Sequence, residues 1–148
     1  MEKVKRVLPF KMDKEAVYAT GKRKTSIARL WLKKGKGTFL VNKLDINLYF
    51  NRNAKSQEKS IYTSKANEPL SVVGEEEKFD VICTVSGGGK TGQVEAIRHA
   101  VAKALRIVNE EYKLTLRKHS LLTRDARKVE RKKYGRRKAR KLCQFSKR

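Results

Sequence analysis

Phe79, Val81, Cys83 and Val85 alternate with more polar neighbours, and the chain then passes through Ser86-Gly-Gly-Gly-Lys-Thr-Gly92. Beyond that turn, Val94, Ile97, Val101, Ala104/Leu105 and Val108 recur at steps of three and four. A period of two followed by a period of 3.6 predicts a strand, a tight turn and an amphipathic helix. A strand with one apolar face and a helix with one apolar stripe bury those surfaces against each other, which commits the chain to helices packed on a sheet.

The rest of the pattern extends that frame. Val17–Thr20 reads as a short strand ended by Gly21, and Ser26–Leu32 as a longer one with Ala28, Leu30 and Leu32 on one side and Ile27, Arg29 and Trp31 on the other. After the glycine turn KKGKG, Thr38–Val41 returns as the partner strand of a hairpin. Asn42 is positioned to cap a short helix through Leu44, Leu48 and Tyr49. Pro69–Val73 reads as another strand, closed by Gly74 and the acidic turn Glu75–Glu77, and Glu110 to Lys118 as a second helix. Residues 51–68 are polar and without a clear period. The expected fold class is α+β, a four-stranded sheet with helices packed on it in an α+β or split βαβ arrangement. Residues 1–15 form a basic N-terminal extension, 16–122 a globular domain and 123–148 a basic tail.

Charge decides the class of partner. The 148 residues carry 38 Lys or Arg against 15 acids, a net charge of +23. A surface so positive repels itself unless a polyanion neutralises it, and nucleic acid presents the densest negative charge and releases counterions on binding. From Thr123 to the end there are 13 basic residues and only Asp125 and Glu130 as acids, so nearly half the net charge sits in the last 26 residues. Such a block buries too little apolar surface to fold alone and orders on a partner. No apolar run is long enough to span a bilayer, and the first residues do not form a secretory signal. Cys83 falls in a strand and Cys143 in the tail, which is neither a disulfide framework nor a zinc set and fits a reducing compartment.

The glycine turn invites comparison with a nucleotide loop, and spacing decides against it. A phosphate loop needs Gly, four residues, then Gly-Lys-Ser/Thr. Gly89-Lys90-Thr91 supplies the end, but the first glycine falls at Thr84. Gly87, Gly89 and Gly92 meet the dinucleotide spacing, yet the acid that should hold a ribose falls at Glu110 or Glu111, inside a helical pattern. The glycines are read instead as a tight, closely packed turn. A further reading, which needs no catalysis and suits the charge, offers the backbone amides at Gly87, Gly88 and Gly89, with Lys90, to an RNA phosphate at a helix start. His99 and His119 match no metal or catalytic spacing. No cofactor, metal or small-molecule substrate is expected, and the chain is read as a non-enzyme.

The tail carries the most specific information. Thr123 or Asp125 is expected to cap a short helix through Lys133, with Arg124, Arg127 and Arg131 on one face and Gly135 ending it. Beyond it, Arg136, Arg137, Lys138, Arg140 and Lys141 have no apolar period and read as an extended thread. The ordinary reading of a charge run is a solvated tail. The length and single sign of this one, with Tyr134 and Phe145 interspersed, favour threading among RNA phosphates.

Four motifs in order, TGKRKTSIARLWL, GGGKTGQVEAIRHAVAKAL, LLTRDARKVERKKYG and the closing QFSKR, resemble the ninth-protein family of the small ribosomal subunit in its bacterial form. The resemblance covers about Val17 to Arg148 and is weakest from Asn51 to Pro69. It implies the fold of the second domain of the fifth small-subunit protein and a place in the head of the subunit. It further implies contact with small-subunit ribosomal RNA and neighbouring head proteins, and a tail tip, Ser146, Lys147 and Arg148, that touches peptidyl-site transfer RNA. On this reading the RNA-facing set comprises Lys22, Arg23 and Lys24 of the first turn, Gly87–Lys90, and Arg98 and His99 of the helix. In the tail it comprises Arg124, Arg127, Lys128, Arg131, Lys132, Lys133, Tyr134, Arg136, Arg137, Lys138, Arg140 and Lys141. The lysine-rich, divergent middle fits a mitochondrial genome or an AT-rich bacterium. The compartment read from it is the mitochondrial matrix, with the bacterial cytoplasm as the alternative.

Overall fold

The computed structural model describes residues 16–51 and 56–147, the side chains of 51 and 56–60 excepted; the 1–15 extension and Arg148 lie outside the described residues. Strand β1 (Val17–Arg23) pairs antiparallel with β2 (Ser26–Lys34) through a turn whose Lys24 has a φ of 51°. The first strand was expected to stop at Gly21, but it continues two residues further. Gly21 sits in mid-strand because the long helix presses on it: a Cβ there would lie 2.0 Å from the Ala96 carbonyl oxygen. Glycine here marks close approach rather than an end.

On its other edge β2 pairs antiparallel with β5 (Phe79–Ser86), whose Phe79, Val81, Cys83 and Val85 are all buried as the alternation predicts. Burial pushes the Cys83 thiol up to about 12, so it serves as a small core residue. The expected hairpin between Ser26–Leu32 and Thr38–Val41 does not form. Strand β3 (Phe39–Val41) lies beyond β5 and runs parallel to it. Asp80 directs the crossing, since its carboxylate accepts the backbone N–H of Lys36 at 2.9 Å and of Thr38 at 2.8 Å. Partial burial alone would raise the Asp80 carboxyl, but those N–H groups outweigh it and hold it below the ordinary value. A two-residue strand β4 (Leu44–Asp45) pairs with β3, so the mixed sheet has five strands, in the order β1-β2-β5-β3-β4.

Among the described residues four helices accompany the sheet: α1 (Ile46–Asn51), α2 (Ser56–Val73), α3 (Lys90–Val108) and α4 (Tyr112–Lys118). Asp45, not Asn42, caps α1, its Oδ1 accepting the Asn47 N–H at 2.8 Å. Residues 56–68 of the unassigned stretch and the supposed strand Pro69–Val73 both belong to α2, with Pro69 inside it, while 52–55 lie outside the described residues. Ala66, Pro69 and Leu70 are buried at helical spacing, and this burial overrides the breaking tendency of proline and the strand preference of Val72-Val73. The helix closes with Gly74 at φ 74°, the Gly74 N–H on the Ser71 carbonyl and the Glu75 N–H on that of Leu70.

The core lies between one face of the sheet and α3, whose Val94, Ile97, Val101 and Leu105 are fully buried. Ala96, Ala100 and Ala104 on the same helix are small enough to let it approach β1 and β2 closely. Leu116 and Leu121 are the last buried members of this core.

Candidate RNA interface

The tail leaves the domain at an anchored root. Arg23, its side chain only 14% exposed, pairs with the Glu95 carboxylate and donates from Nη2 to Asp125 Oδ2 at 3.1 Å and from Nη1 to the Arg127 carbonyl at 3.0 Å. Asp125 in turn accepts the Arg127 N–H at 2.9 Å and its guanidinium Nη2 at 2.6 Å. These hydrogen bonds from Arg127, with the charges of Arg127 and Arg23, hold the Asp125 carboxyl far below the ordinary carboxylate range. The expected helix from Thr123 to Lys133 is absent. Asp125 spends its oxygens on Arg127 and Arg23, a local turn that competes with a helix cap. Stacking Arg124, Arg127, Lys128, Arg131 and Lys132 at helical spacing would also set like charges side by side.

Past Gly135 (φ 69°) the extended thread is also corrected. The Arg137 N–H meets the Lys141 carbonyl at 3.0 Å, Arg136 bridges antiparallel to Leu142, and Arg136 Nη1 reaches the Arg140 carbonyl at 3.0 Å. Arg140 and Lys133 both pair with Glu130, at 2.9 and 3.0 Å. One acid thus gathers a loop that an unbroken run of cations would not form. Tyr134 and Phe145 are fully open, and no residue from 123 to 147 is buried.

The structure brings the glycine turn against the β1–β2 turn. Gly87 and Gly88 have φ of 74° and 66°, and a Cβ on Gly88 would stand 2.1 Å from the Ser26 hydroxyl. Buried Ser26 donates to the Gly87 carbonyl at 3.1 Å, and Gln93 Nε2 reaches the same oxygen at 3.2 Å. Gly89, extended, opens α3 and has open space where a side chain would stand. Lys22 and Lys24 are exposed beside this turn. Lys90, expected to face a phosphate, instead donates to the Phe50 carbonyl at 3.2 Å. Asn42 was not foreseen as a brace: its amide accepts the Val85 N–H at 2.9 Å and donates to the Val85 carbonyl at 3.0 Å, continuing the β3–β5 pairing through a side chain.

On α3, Arg98 pairs with Glu68 of α2 at 2.8 Å and Lys103 donates to the Thr20 carbonyl at 3.0 Å. His99 is half-buried with Nε2 3.3 Å from the Leu122 carbonyl, while its buried Nδ1 has no partner among the described residues. Burial first, then the charges of Lys103, Arg124 and Arg98, hold the imidazole below its usual value against the opposing pull of the Leu122 carbonyl. Arg98, His99 and the tail root line a polar cleft of about 230 Å³ together with Lys22, Arg23 and Glu95. Sequence reasoning missed Glu95 as part of the anchor. The isolated acid Asp125 within a basic run was the one visible sign of it.

Residues 21–148 match the family described as ribosomal protein S9/S16. The chain belongs to that family. The small ribosomal subunit protein uS9 of Cytophaga hutchinsonii is 52% identical over 134 residues, spanning 90% of this chain and 99% of that protein. The protein of the same name from Rickettsia canadensis is 51% identical over 131 residues, 88% of this chain and 77% of its own. That of Rickettsia massiliae is 48% identical over 150 residues, 97% and 90% of the two chains. Membership of the S9/S16 family carries a structural, non-enzymatic role in the ribosome. These relatives are bacterial, which favours the bacterial alternative over the mitochondrial reading of the lysine-rich middle.

Proposed function

We propose that this protein is a structural constituent of the small ribosomal subunit in a bacterial cytoplasm, seated in the subunit head among neighbouring proteins. Its exposed cations bind small-subunit ribosomal RNA, and the tail tip at Ser146, Lys147 and Arg148 reaches peptidyl-site transfer RNA. The observation that carries this reading is the tail itself: 13 basic residues from Thr123 onward, rooted on Arg23, with nothing buried from 123 to 147. A segment of that charge, held at one end and unpacked along its length, is suited to phosphate contacts that position without reading bases. Arg23, Arg98 and Lys90 are already partnered within the protein. The RNA-binding work therefore falls mainly on Lys22, Lys24 and the exposed tail cations.

Deletion of Ser146–Arg148 should leave incorporation into small subunits intact and weaken peptidyl-site transfer RNA binding in a filter assay. Truncation from Arg124 should block incorporation. Unchanged transfer RNA affinity in the first case, or normal incorporation in the second, would contradict the assignment of those segments.

A further inference from the structure

Helices cover one face of the sheet, and among the described residues the opposite face is open. Register lines its side chains up in rows across the strands. Tyr18 stands opposite Trp31, Trp31 opposite Ile82, and Ile82 opposite Leu40. The next row is Thr20, Arg29 and Thr84, and the one after it Lys22, Ile27 and Ser86. Tyr18 is 48% exposed, Ile27 and Arg29 are exposed, and Trp31 is half-buried. The rings of Tyr18 and Trp31 lie 5.3 Å apart at 48°. A solvated sheet face ordinarily carries polar side chains. Here a row of two aromatic and two aliphatic residues crosses four strands.

At its β1–β2 end, where the two rings lie, the row is bordered by cations; at the far end it meets exposed Asp45 of β4, whose Oδ1 accepts the Asn47 N–H. Neither Arg29 nor Lys22 has an ion-pair or hydrogen-bond partner among the described residues. The acid at the end of β5, Asp80, is committed to the backbone N–H groups of Lys36 and Thr38. Arg29 lies two residues from Trp31 along β2, about 7 Å at the strand rise. That distance lets one nucleotide lay its base on the ring and bring its phosphate to the guanidinium.

We propose that this open face is a second RNA-binding surface, distinct from the tail, which takes unpaired nucleotides. Bases stack on Tyr18 and Trp31, and the adjoining phosphates pair with Arg29 and Lys22. Charge complementarity selects this occupant: flat apolar rings bordered by free cations match a polyanion whose bases are flat and unstacked. An apolar protein segment docked here would bury Arg29 and Lys22 without partners, at a cost in desolvation.

Trp31 is the sole tryptophan of the chain, so its fluorescence reports on this face alone. Titrating the full-length protein with an unstructured oligouridylate of about eight nucleotides should quench Trp31. Duplex RNA of equal length, its bases sequestered, should leave the emission unmoved. Tyr18→Ser combined with Arg29→Gln should weaken the affinity read by quenching about tenfold, while total RNA retention on a filter, dominated by the tail, changes little. Arg29→Gln alone, at an exposed site, should reproduce part of the loss if the double variant fails to fold.

RNA retained on the filter with Trp31 emission unchanged would overturn the proposal, since binding then runs through the tail. In assembled subunits, cross-links from Tyr18 or Trp31 to ribosomal RNA are expected, and cross-links to a neighbouring protein instead would also overturn it. The ribosomal assignment stands or falls separately, on whether the chain sediments with small subunits.

Discussion

Arg23 Nη2 meets Asp125 Oδ2 at 3.1 Å, so the last residue of β1 holds the root of the tail. The same guanidinium also engages Glu95 and the Arg127 carbonyl, and its planar fork suits three simultaneous acceptors in a way that a lysine would not.

Asp125→Asn should therefore loosen the tail without unfolding the domain. Trypsin cleavage within residues 124–133 is expected to rise several-fold under native conditions, with the denaturant midpoint of the domain unchanged. Because the Asp125 carboxyl is held far below its ordinary value, its contribution is fully present above about pH 4. It is lost only as the pH falls well below that. Equal cleavage in the two proteins would refute the anchor.

Gly21→Ala tests the contact between β1 and α3. The new methyl would stand 2.0 Å from the Ala96 carbonyl oxygen and 2.7 Å from the Ala100 nitrogen, backbone atoms that cannot swing aside. A loss of about 3 kcal/mol is expected from overpacking, read as a lower urea midpoint. Gly89→Ala, with open space at its Cβ, is the matched control and should cost far less.

His99 should make stability depend on pH. The fold keeps its imidazole below the ordinary value, chiefly by burial, so as the pH falls the unfolded chain takes up the proton first. The stabilisation is fully present above about pH 6.5 and declines below it. The urea midpoint of the wild-type protein should fall between about pH 7 and pH 5, and His99→Gln should reduce that fall. An identical pH slope in the variant would show that the charge change lies elsewhere.

Lys90→Ala separates phosphate-loop chemistry from structure. Lys90 Nζ is committed to the Phe50 carbonyl near the end of α1, so the variant should lose about 1 kcal/mol of stability. Neither protein should hydrolyse ATP or GTP. Turnover that disappears with Lys90 would reverse that conclusion.

The elements legible in the sequence were those with an uninterrupted period. Phe79 to Val85 and Val94 to Val108 announced the strand and helix that build the core, and both stand where the period put them. The misreadings share a cause, which is that local signals compete with contacts distant in the chain. Gly21 and Pro69 look like punctuation, but helix packing gives each a place inside an element. Thr38–Val41 was assigned to its neighbour in sequence, whereas Asp80 carries the chain across to the far side of β5. In the tail the spacing of Arg124, Arg127 and Arg131 suggested a helix face, but Arg23 and Glu130 engage those segments through side chains that no periodicity reports. The charge and exposure of the tail were legible because net charge needs no geometry. The partners that Lys90 and Arg98 find in α1 and α2 were not, because they lie far away in the chain.

In the RNA-binding role proposed above, the anchored root would also govern how domain and tail engage one partner. Once the domain is seated, the tail no longer searches from bulk solution but from a fixed origin at Asp125, so its effective concentration at nearby phosphates is set by its own contour. Freed of the Arg23 contact, the same 13 charges would sweep a wider volume and meet the correct groove less often. The clamp at the root thus converts a loosely attractive polycation into the second arm of a bivalent grip.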